Sequence, residues 1–162
     1  MKFEIAHTFA VTPEQYEAIY FDEAFGAASC DAVNLGRTLL KLEKTDGRIV
    51  RQVRVEPQRE IPGPVAKLIG NAKIAYVEEV DYDVAKRVGR WRTVPNIASD
   101  KIETGGTFEF VASGTGTTRL LKGDITVKVF GLGGFIEKFI VEDVKKSYEK
   151  AAAFTREWIA RG

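Results

Sequence analysis

The carboxy-terminal segment from Gly134 to Ala160 constrains the fold of this chain more than any other feature. Its apolar residues recur at the spacing of one helix face, and its charged residues occupy the opposite face. The apolar face comprises Ile136, Phe139, Ile140, Val144, Tyr148, Ala151, Thr155, Trp158 and Ile159. At about 1.5 Å per residue such a helix extends for roughly 40 Å. A helix of this length with one apolar face requires a second layer to cover it.

The residues before this helix consist mainly of predicted strands and turns. Lys2–Phe9 alternates apolar and polar residues with the period of a half-buried strand. Further strands are predicted at Arg37–Leu42, Arg48–Glu56, Lys73–Tyr82, Val88–Ile97, Lys101–Ala112 and Thr117–Val129. Gly47 and Gly114 mark hairpin turns, because glycine adopts positive φ at little cost. We therefore expect a sequential antiparallel meander.

Two short helices are predicted between the first and second strands. Thr12 provides an N-cap hydroxyl, Pro13 suits the first helical position, and Gln15 can reach back to the cap. This helix is predicted to end near Tyr20. A second helix is predicted from Asp22 towards Cys30, although glycine at position 26 lowers its helix propensity.

A proline-rich segment, Ile61-Pro62-Gly63-Pro64-Val65, interrupts the run of strands. It is not an interior strand, because proline donates no ladder hydrogen bond. We expect a loop or a lid at this position, followed by the apolar residues Leu68 and Ile69.

Composition limits the classes of protein to which the chain can belong. A chain of 162 residues suits one domain, expected to comprise residues 1–162. The formal net charge is +1, so no strong field favours nucleic acid. Cys30 is the only cysteine, and one histidine with scattered carboxylates gives no metal-ligand spacing. No cofactor motif, signal peptide or membrane-length apolar segment is evident, so we expect a cytoplasmic protein without a metal or cofactor.

The stretch FGLGGFIEKF, Phe130–Phe139, has the glycine density of a phosphate-binding loop. A dinucleotide-binding loop, however, requires a third glycine at a fixed spacing and a following parallel strand. The helix is the last predicted element, and the glycines are not followed by the lysine with serine or threonine that completes a P-loop. We interpret Gly131, Gly133 and Gly134 as a sharp strand-to-helix turn.

The order of these elements resembles the START-like superfamily, which includes the birch pollen allergen, polyketide cyclases and aromatases, and lipid-transfer proteins. The stretch from Gly133 to Val141, continued by Lys145-Lys146-Ser147-Tyr148, is similar to the terminal-helix entrance of Lam/Aster sterol-transfer domains. Gly89-Arg90-Trp91-Arg92 and the opening MKFEIAHTF resemble a bacterial branch of largely unassigned function. The resemblance implies an α+β helix-grip fold. In this fold a curved seven-stranded antiparallel sheet surrounds a long C-terminal helix, with two short helices after strand 1.

Strand alternation identifies the residues that a ligand between sheet and helix would contact. The predicted ligand-binding residues are His7, Val53, Tyr76, Glu78, Trp91, Thr93, Phe108, Phe110, Leu121, Ile125, Ile136, Phe139 and Ile140. The alternative is that these side chains simply fill the core, since apolar stripes are the usual way to bury a sheet. Gly123 and Ala151 could leave room for a ligand by omitting bulk.

Three polar residues share the inward face of the predicted strands. His7 could act as a general base, and Glu78 is the one inward carboxylate available to orient it. His7 could equally be a neutral core histidine bonded to the backbone, or a polar anchor for a ligand hydroxyl. Arg51 could bind a carboxylate or a phosphate, or extend its charged end to solvent.

These observations favour a protein that binds a hydrophobic small molecule, such as a lipid, a sterol-like compound or a polyketide. A carrier or sensor is the first hypothesis, and a cyclase or aromatase using the same cavity is the alternative. A module with a fully packed interior is the third. An apolar rim formed by the Pro62–Pro64 loop with Val65, Leu68, Ile69, Leu132 and Phe135 would allow transient membrane contact.

Overall fold

The computed structural model describes residues 1–58 and 73–162, together with positions 60, 63, 66, 67 and 70. The predicted proline-rich loop therefore lies largely outside the described residues. The strands are β1 (Lys2–Phe9), β2 (Leu35–Thr45), β3 (Arg48–Pro57), β4 (Tyr76–Asp83), β5 (Val88–Pro95), β6 (Ile102–Ser113) and β7 (Gly116–Val127). The described helices are α1 (Pro13–Tyr20), α2 (Glu23–Ala32) and α3 (Gly133–Ala160).

The strands form one antiparallel sheet in the order β1-β7-β6-β5-β4-β3-β2. Strands β2 to β7 form the predicted meander, and β1 pairs with β7 in a register that places Phe3 opposite Gly123 and Phe9 opposite Thr117. The α+β fold class is confirmed, with seven strands, two short helices after β1 and a long C-terminal helix.

The two short helices begin where local capping satisfies their free N–H groups. In α1 the Thr12 hydroxyl accepts from the Gln15 backbone, and the Gln15 side chain accepts from the Thr12 backbone, as predicted. In α2 the Asp22 carboxylate accepts from the Phe25 N–H over 3.1 Å. Along the chain, the two helices connect β1 to β2, which are the two edge strands of the sheet.

The glycine-rich stretch forms the predicted turn into α3. Gly131 has a φ of +74°, a backbone conformation that L residues with a side chain rarely adopt. Helix α3 begins two residues later, and the Glu137 carboxylate accepts a hydrogen bond from the Val127 N–H at the end of β7. The turn therefore directs α3 back towards the sheet.

Strand β4 begins three residues later than the predicted start at Lys73. The side chain of Asn96 explains this difference, because its Oδ1 accepts from the Ala75 N–H and its Nδ2 donates to the Lys73 carbonyl. The Asn96 side chain thus makes the hydrogen bonds that a neighbouring strand would otherwise make to this segment. Strand β5 ends at Pro95, which has no N–H to continue the ladder.

An aromatic cluster packs between α1 and the sheet. Its members are Phe9, Tyr16, Tyr20, Phe21, Tyr82, Phe108 and Phe110. The hydroxyl of Tyr82 donates to the Glu17 carboxylate over 2.6 Å, which ties α1 to β4. Within the described residues, no helix is long and apolar enough to cross a membrane.

Candidate ligand-binding cavity

A cavity of about 410 Å³ lies between α3 and the concave face of the sheet. Strands β3 to β7 supply one wall, α3 the opposite wall, and α1 with α2 one side. The aliphatic and aromatic part of the wall includes Phe3, Tyr20, Phe25, Val33, Val55, Ile74, Tyr76, Trp91, Leu121, Ile125, Phe139, Ile140, Val144, Tyr148 and Ala151. This volume is within the range of small-molecule sites, roughly 300 to 1,000 Å³.

The structure brings eight of the thirteen predicted ligand-binding residues to this wall. They are Tyr76, Glu78, Trp91, Thr93, Leu121, Ile125, Phe139 and Ile140. The other five, His7, Val53, Phe108, Phe110 and Ile136, lie buried in the packed core behind it. Phe108 and Phe110 are packed rather than exposed to the cavity because α1 docks on them. The Tyr16 and Tyr20 rings contact Phe110 at centroid distances of 4.8 and 5.2 Å, and the Tyr20 ring lies 5.4 Å from Phe108.

Arg51 on β3 turns into the interior and does not extend to solvent. Its side chain is about 5% exposed, and its Nη1 donates to the Tyr20 carbonyl over 2.8 Å. The guanidinium also lies 4.7 Å from the centroid of the Tyr20 ring. The Glu78 carboxylate on the neighbouring strand is 3.7 Å from Arg51 Nη2, so the two charges form an ion pair at the cavity wall. The prediction that Arg51 would extend outwards is therefore wrong.

His7 pairs with Glu149 and Arg119, not with Glu78. Its Nε2 lies 2.8 Å from Glu149 Oε1, and its Nδ1 lies 3.0 Å from an Arg119 guanidinium nitrogen. Because arginine only donates hydrogen bonds, Nδ1 is the acceptor and Nε2 carries the proton that Glu149 accepts. The proposed His7–Glu78 pairing was wrong because parity identifies residues on one face but not residues contributed by α3.

Arg119 on β7 is the functional candidate that sequence reasoning missed. Only about 6% of the residue is exposed, yet it lines the cavity. Its guanidinium donates to the Tyr16 hydroxyl over 3.2 Å and lies 4.9 Å from the centroid of the Tyr148 ring. Strand alternation could have identified it, because Arg119 lies on the same face of its strand as Leu121 and Ile125.

The electrostatics keep Arg119 charged and the phenols of Tyr20 and Tyr148 neutral. Burial lowers the pKa of Arg119, whereas the phenol oxygens of Tyr16 and Tyr148 raise it, and the net shift is upward. Burial raises the pKa of Tyr20 to about 12 and that of Tyr148 well above its ordinary value. The cavity therefore contains a permanent cation among neutral aromatic hydroxyls.

A second arginine, Arg37 on β2, lines the α2 side of the cavity and forms an ion pair with Glu23. Its Nε donates to Glu23 over 2.8 Å, and its Nη1 lies 3.8 Å from the Cys30 sulfur. The guanidinium packs where a side chain at Gly26 would stand, since a Cβ there would lie 2.7 Å from Arg37 Cζ. This contact explains a glycine inside α2. Burial raises the pKa of the half-buried Cys30 thiol.

The wall is most exposed where β3 and β5 end and β4 begins. Pro57, Ile74 and Ile97 are half-buried there, and Glu60 and Asn96 are exposed. By contrast, Arg51 and Arg119 lie at the buried end beneath α1. The cavity therefore has an accessible end near Ile74 and Ile97 and a buried end that carries two arginines.

The turn into α3 presents three apolar side chains to solvent. Phe130 is fully exposed, and Leu132 and Phe135 are 48% and 59% exposed. Leu132 and Phe135 belong to the predicted apolar rim, whereas Phe130 was not included in it. The remaining predicted members, Val65, Leu68, Ile69 and the loop prolines, lie outside the described residues.

A long helix held against a curved antiparallel sheet, with a cavity between them, defines the helix-grip fold of START-like proteins. Solved structures agree with this class: a START superfamily protein from Mycobacterium smegmatis is 18% identical, with a TM-score of 0.65 and coverage of 98% of each chain. At these low identities the likeness is one of fold. The chain belongs to the family described as protein of unknown function (DUF2505), whose model matches residues 4–159.

Two further solved structures with this fold are enzymes. The ZhuI aromatase/cyclase from Streptomyces sp. R1128 is 14% identical, with a TM-score of 0.64 over 97% of this chain and 93% of that one. Norcoclaurine synthase from Thalictrum flavum, solved with dopamine and hydroxybenzaldehyde, is 12% identical, with a TM-score of 0.62 over 97% and 87%. A comparison with curated proteins finds no match.

Proposed function

We propose that this protein binds a hydrophobic small molecule, such as a lipid, a sterol-like compound or a polyketide, and acts as its carrier or sensor. The observation that carries the proposal is the cavity of about 410 Å³ between the sheet and α3. A fully packed interior, the third hypothesis from the sequence, is difficult to reconcile with a space of this size.

The chemistry of the wall supports an apolar ligand. Trp91, Leu121 and Ile125 from the sheet face Phe139 and Ile140 from α3. Burial of apolar ligand surface against such side chains contributes about 25 cal/mol per Å². Most of the binding free energy would therefore come from desolvation, and the few polar groups would fix the orientation of the ligand.

The shared fold adds support, although it does not identify the ligand. Norcoclaurine synthase accommodates two small aromatic molecules, dopamine and hydroxybenzaldehyde, on the same fold. An aromatase/cyclase also uses this fold. Fold alone does not transfer an activity, so the relatives favour a small-molecule site without favouring a reaction.

The arrangement of His7 favours binding over catalysis. A general base needs a free acceptor within reach of a substrate proton. The Nδ1 of His7 accepts from Arg119, and its Nε2 is engaged with Glu149. Glu78 lines the cavity but is paired with Arg51. Neither of the two residues considered for proton transfer is thus available without rearrangement.

Transient membrane contact would allow a carrier to load and release its ligand. The exposed side chains of Phe130, Leu132 and Phe135 support this part of the proposal. They occupy the turn that precedes α3, the helix that forms one wall of the cavity. Insertion of these side chains into a bilayer would bring that wall close to a source of apolar ligand.

Native mass spectrometry of freshly purified protein tests the proposal directly. A protein of this function is expected to retain a lipophilic molecule, and organic extraction followed by mass analysis would identify it. A chemically unaltered molecule that exchanges with added ligand would support a carrier. Protein that emerges free of ligand, and that binds none from a panel of fatty acids, sterols and aromatic polyketides, would contradict the proposal.

A further inference from the structure

Arg119 is a buried charge whose structural environment does not neutralise it. Arg37 is paired with Glu23, and Arg51 with Glu78, so the other two arginines at the cavity wall each have a carboxylate partner. Among the described residues, Arg119 forms no ion pair; its hydrogen-bond partners are the Tyr16 hydroxyl and the His7 ring. An uncompensated buried charge is costly.

The guanidinium also retains unused hydrogen-bond donors. Arginine carries five N–H donors, and the described contacts of Arg119 use one for Tyr16 and one for His7. Its Nε is buried and has no hydrogen-bond partner within the part of the chain that the structure describes. Buried donors in native proteins nearly always have partners. The missing partner is thus an acceptor that the described residues do not provide.

The remaining charges of the cavity restrict what that acceptor can be. Glu78 also lines the cavity, but its charge is already balanced by Arg51. Glu149 contacts His7, and at 73% exposure its charge is largely solvated. One uncompensated cation suits a monoanion better than a phosphate dianion. A carboxylate also matches the planar fork of a guanidinium.

We infer that the ligand is an amphipathic carboxylate, whose ionised head pairs with Arg119 at the buried end of the cavity and whose apolar body lies between β5 and α3. This inference rests on the proposed ligand-binding function and specifies its ligand class. Trp91 on β5 and Phe139 and Ile140 on α3 line the region assigned to the apolar body.

The burial gradient sets the direction of binding. Arg119 lies beneath α1, whereas the exposed wall residues lie at the far end, near Ile74 and Ile97. The ligand would thus enter with its carboxylate first, and the end of its apolar body would face the opening. The rings of Tyr16 and Tyr148 beside the guanidinium would exclude water from the ion pair.

A matched pair of probes tests the inference with the wild-type protein. Dodecanoate and dodecanol have the same chain length and differ at the head group, and their affinities can be measured by displacement of the neutral dye Nile red. Hydrogen bonds to charged groups favour the acid by about 10- to 100-fold. If dodecanol binds as tightly as dodecanoate, the inference fails and the proposed function stands. If neither displaces the dye or binds in calorimetry, both fail.

Substitution at Arg119 separates charge recognition from apolar binding. Arg119→Met is expected to remove the preference for dodecanoate while retaining dodecanol affinity, and Arg119→Lys should retain part of the preference. Arg92→Met is the matched control, because Arg92 is an exposed arginine paired with Glu79 on the sheet. A preference that persists unchanged in Arg119→Met would overturn the assignment of Arg119.

A measurement on the bound ligand remains decisive even if the variants do not fold. Carboxyl-labelled dodecanoate bound to wild-type protein can be titrated by carbon NMR. An ion pair with Arg119 predicts that the pKa of the bound carboxyl is lower than that of free dodecanoate. A pKa higher than that of the free acid would place the carboxyl in an apolar region and would overturn the inference.

Discussion

Arg119 donates to His7 Nδ1 over 3.0 Å, and this contact joins two residues that are 112 positions apart in the chain. It fixes the histidine in the neutral tautomer with its proton on Nε2, directed at the Glu149 carboxylate. The imidazole thus connects a buried cation on β7 to an exposed anion on α3. His7 therefore links the sheet to α3, although its inward position in β1 also suggested a catalytic base.

Replacement of His7 by alanine should destabilise the protein. The change leaves the buried Arg119 donor without its acceptor and removes a buried ring, which together cost about 2 to 4 kcal/mol. Urea denaturation monitored by circular dichroism would measure the loss. Glu149→Ala is the comparison, because Glu149 is 73% exposed and an exposed partner contributes about 1 kcal/mol or less. Equal losses in the two variants would contradict this account.

A larger side chain at Ala151 should reduce ligand binding by filling the cavity. Ala151 lines the cavity from α3, so Ala151→Phe would occupy part of the space of about 410 Å³. Ala153→Phe is the matched control, because position 153 lies on the exposed face of the same helix. We expect at least tenfold weaker Nile red binding in the first variant and unchanged binding in the second. Equal affinities would place the ligand elsewhere.

Stability should fall as the pH rises above about 10. Burial raises the pKa of Tyr20 from its ordinary value of 10.0 to about 12. In this range the unfolded state releases the phenolic proton while the folded state retains it, so higher pH favours unfolding. The loss is up to about 1.4 kcal/mol per pKa unit. Urea midpoints measured across this range should decline less steeply for Tyr20→Phe than for the wild type.

Cys30 should report whether the cavity is occupied. Burial raises the pKa of its thiol, so little thiolate is present at neutral pH and maleimide should react slowly. Because Cys30 lines the cavity, saturating dodecanoate should slow the reaction further. Labelling followed by intact-protein mass spectrometry measures both effects, with urea-unfolded protein as the reference for full reactivity. A rate independent of ligand would indicate that the ligand does not reach the α2 side of the cavity.

Charged substitutions at the turn into α3 should slow ligand exchange between liposomes. Leu132→Asp combined with Phe135→Asp removes two exposed apolar side chains and leaves the core unchanged. Transfer of a fluorescent fatty acid between vesicles should fall several-fold, while equilibrium affinity for the soluble acid remains unchanged. Val111→Asp serves as the control, since Val111 is 45% exposed at the distant end of β6. Undiminished transfer by the double variant would exclude this turn as the contact.

The fold could be predicted from the sequence because its main signals are local. The capping box at Thr12, the hairpin glycine at position 47 and the apolar face of α3 each depend on neighbouring residues. The same signals gave the inward parity of Trp91 and Leu121, both of which line the cavity.

The site was less predictable because its polar contacts join distant elements. Parity selects a sheet face, but the docking of α1 determines which part of that face is packed, and it buries Phe108 and Phe110 in the core. Arg119 was missed because charge normally indicates an exposed residue, although its parity placed it beside Leu121. The His7–Glu149 contact depends on how α3 crosses β1, which strand alternation does not encode.

The pairing of β1 with β7 affects how the chain can reach its native state during synthesis. Phe3 lies opposite Gly123, so the first strand leaves the ribosome more than a hundred residues before its partner does. Until β7 emerges, β1 has unpaired edge groups that other nascent chains or chaperones can bind. Closure of the sheet is therefore a late, long-range step, and we expect it to limit the rate at which newly made protein becomes able to hold a ligand.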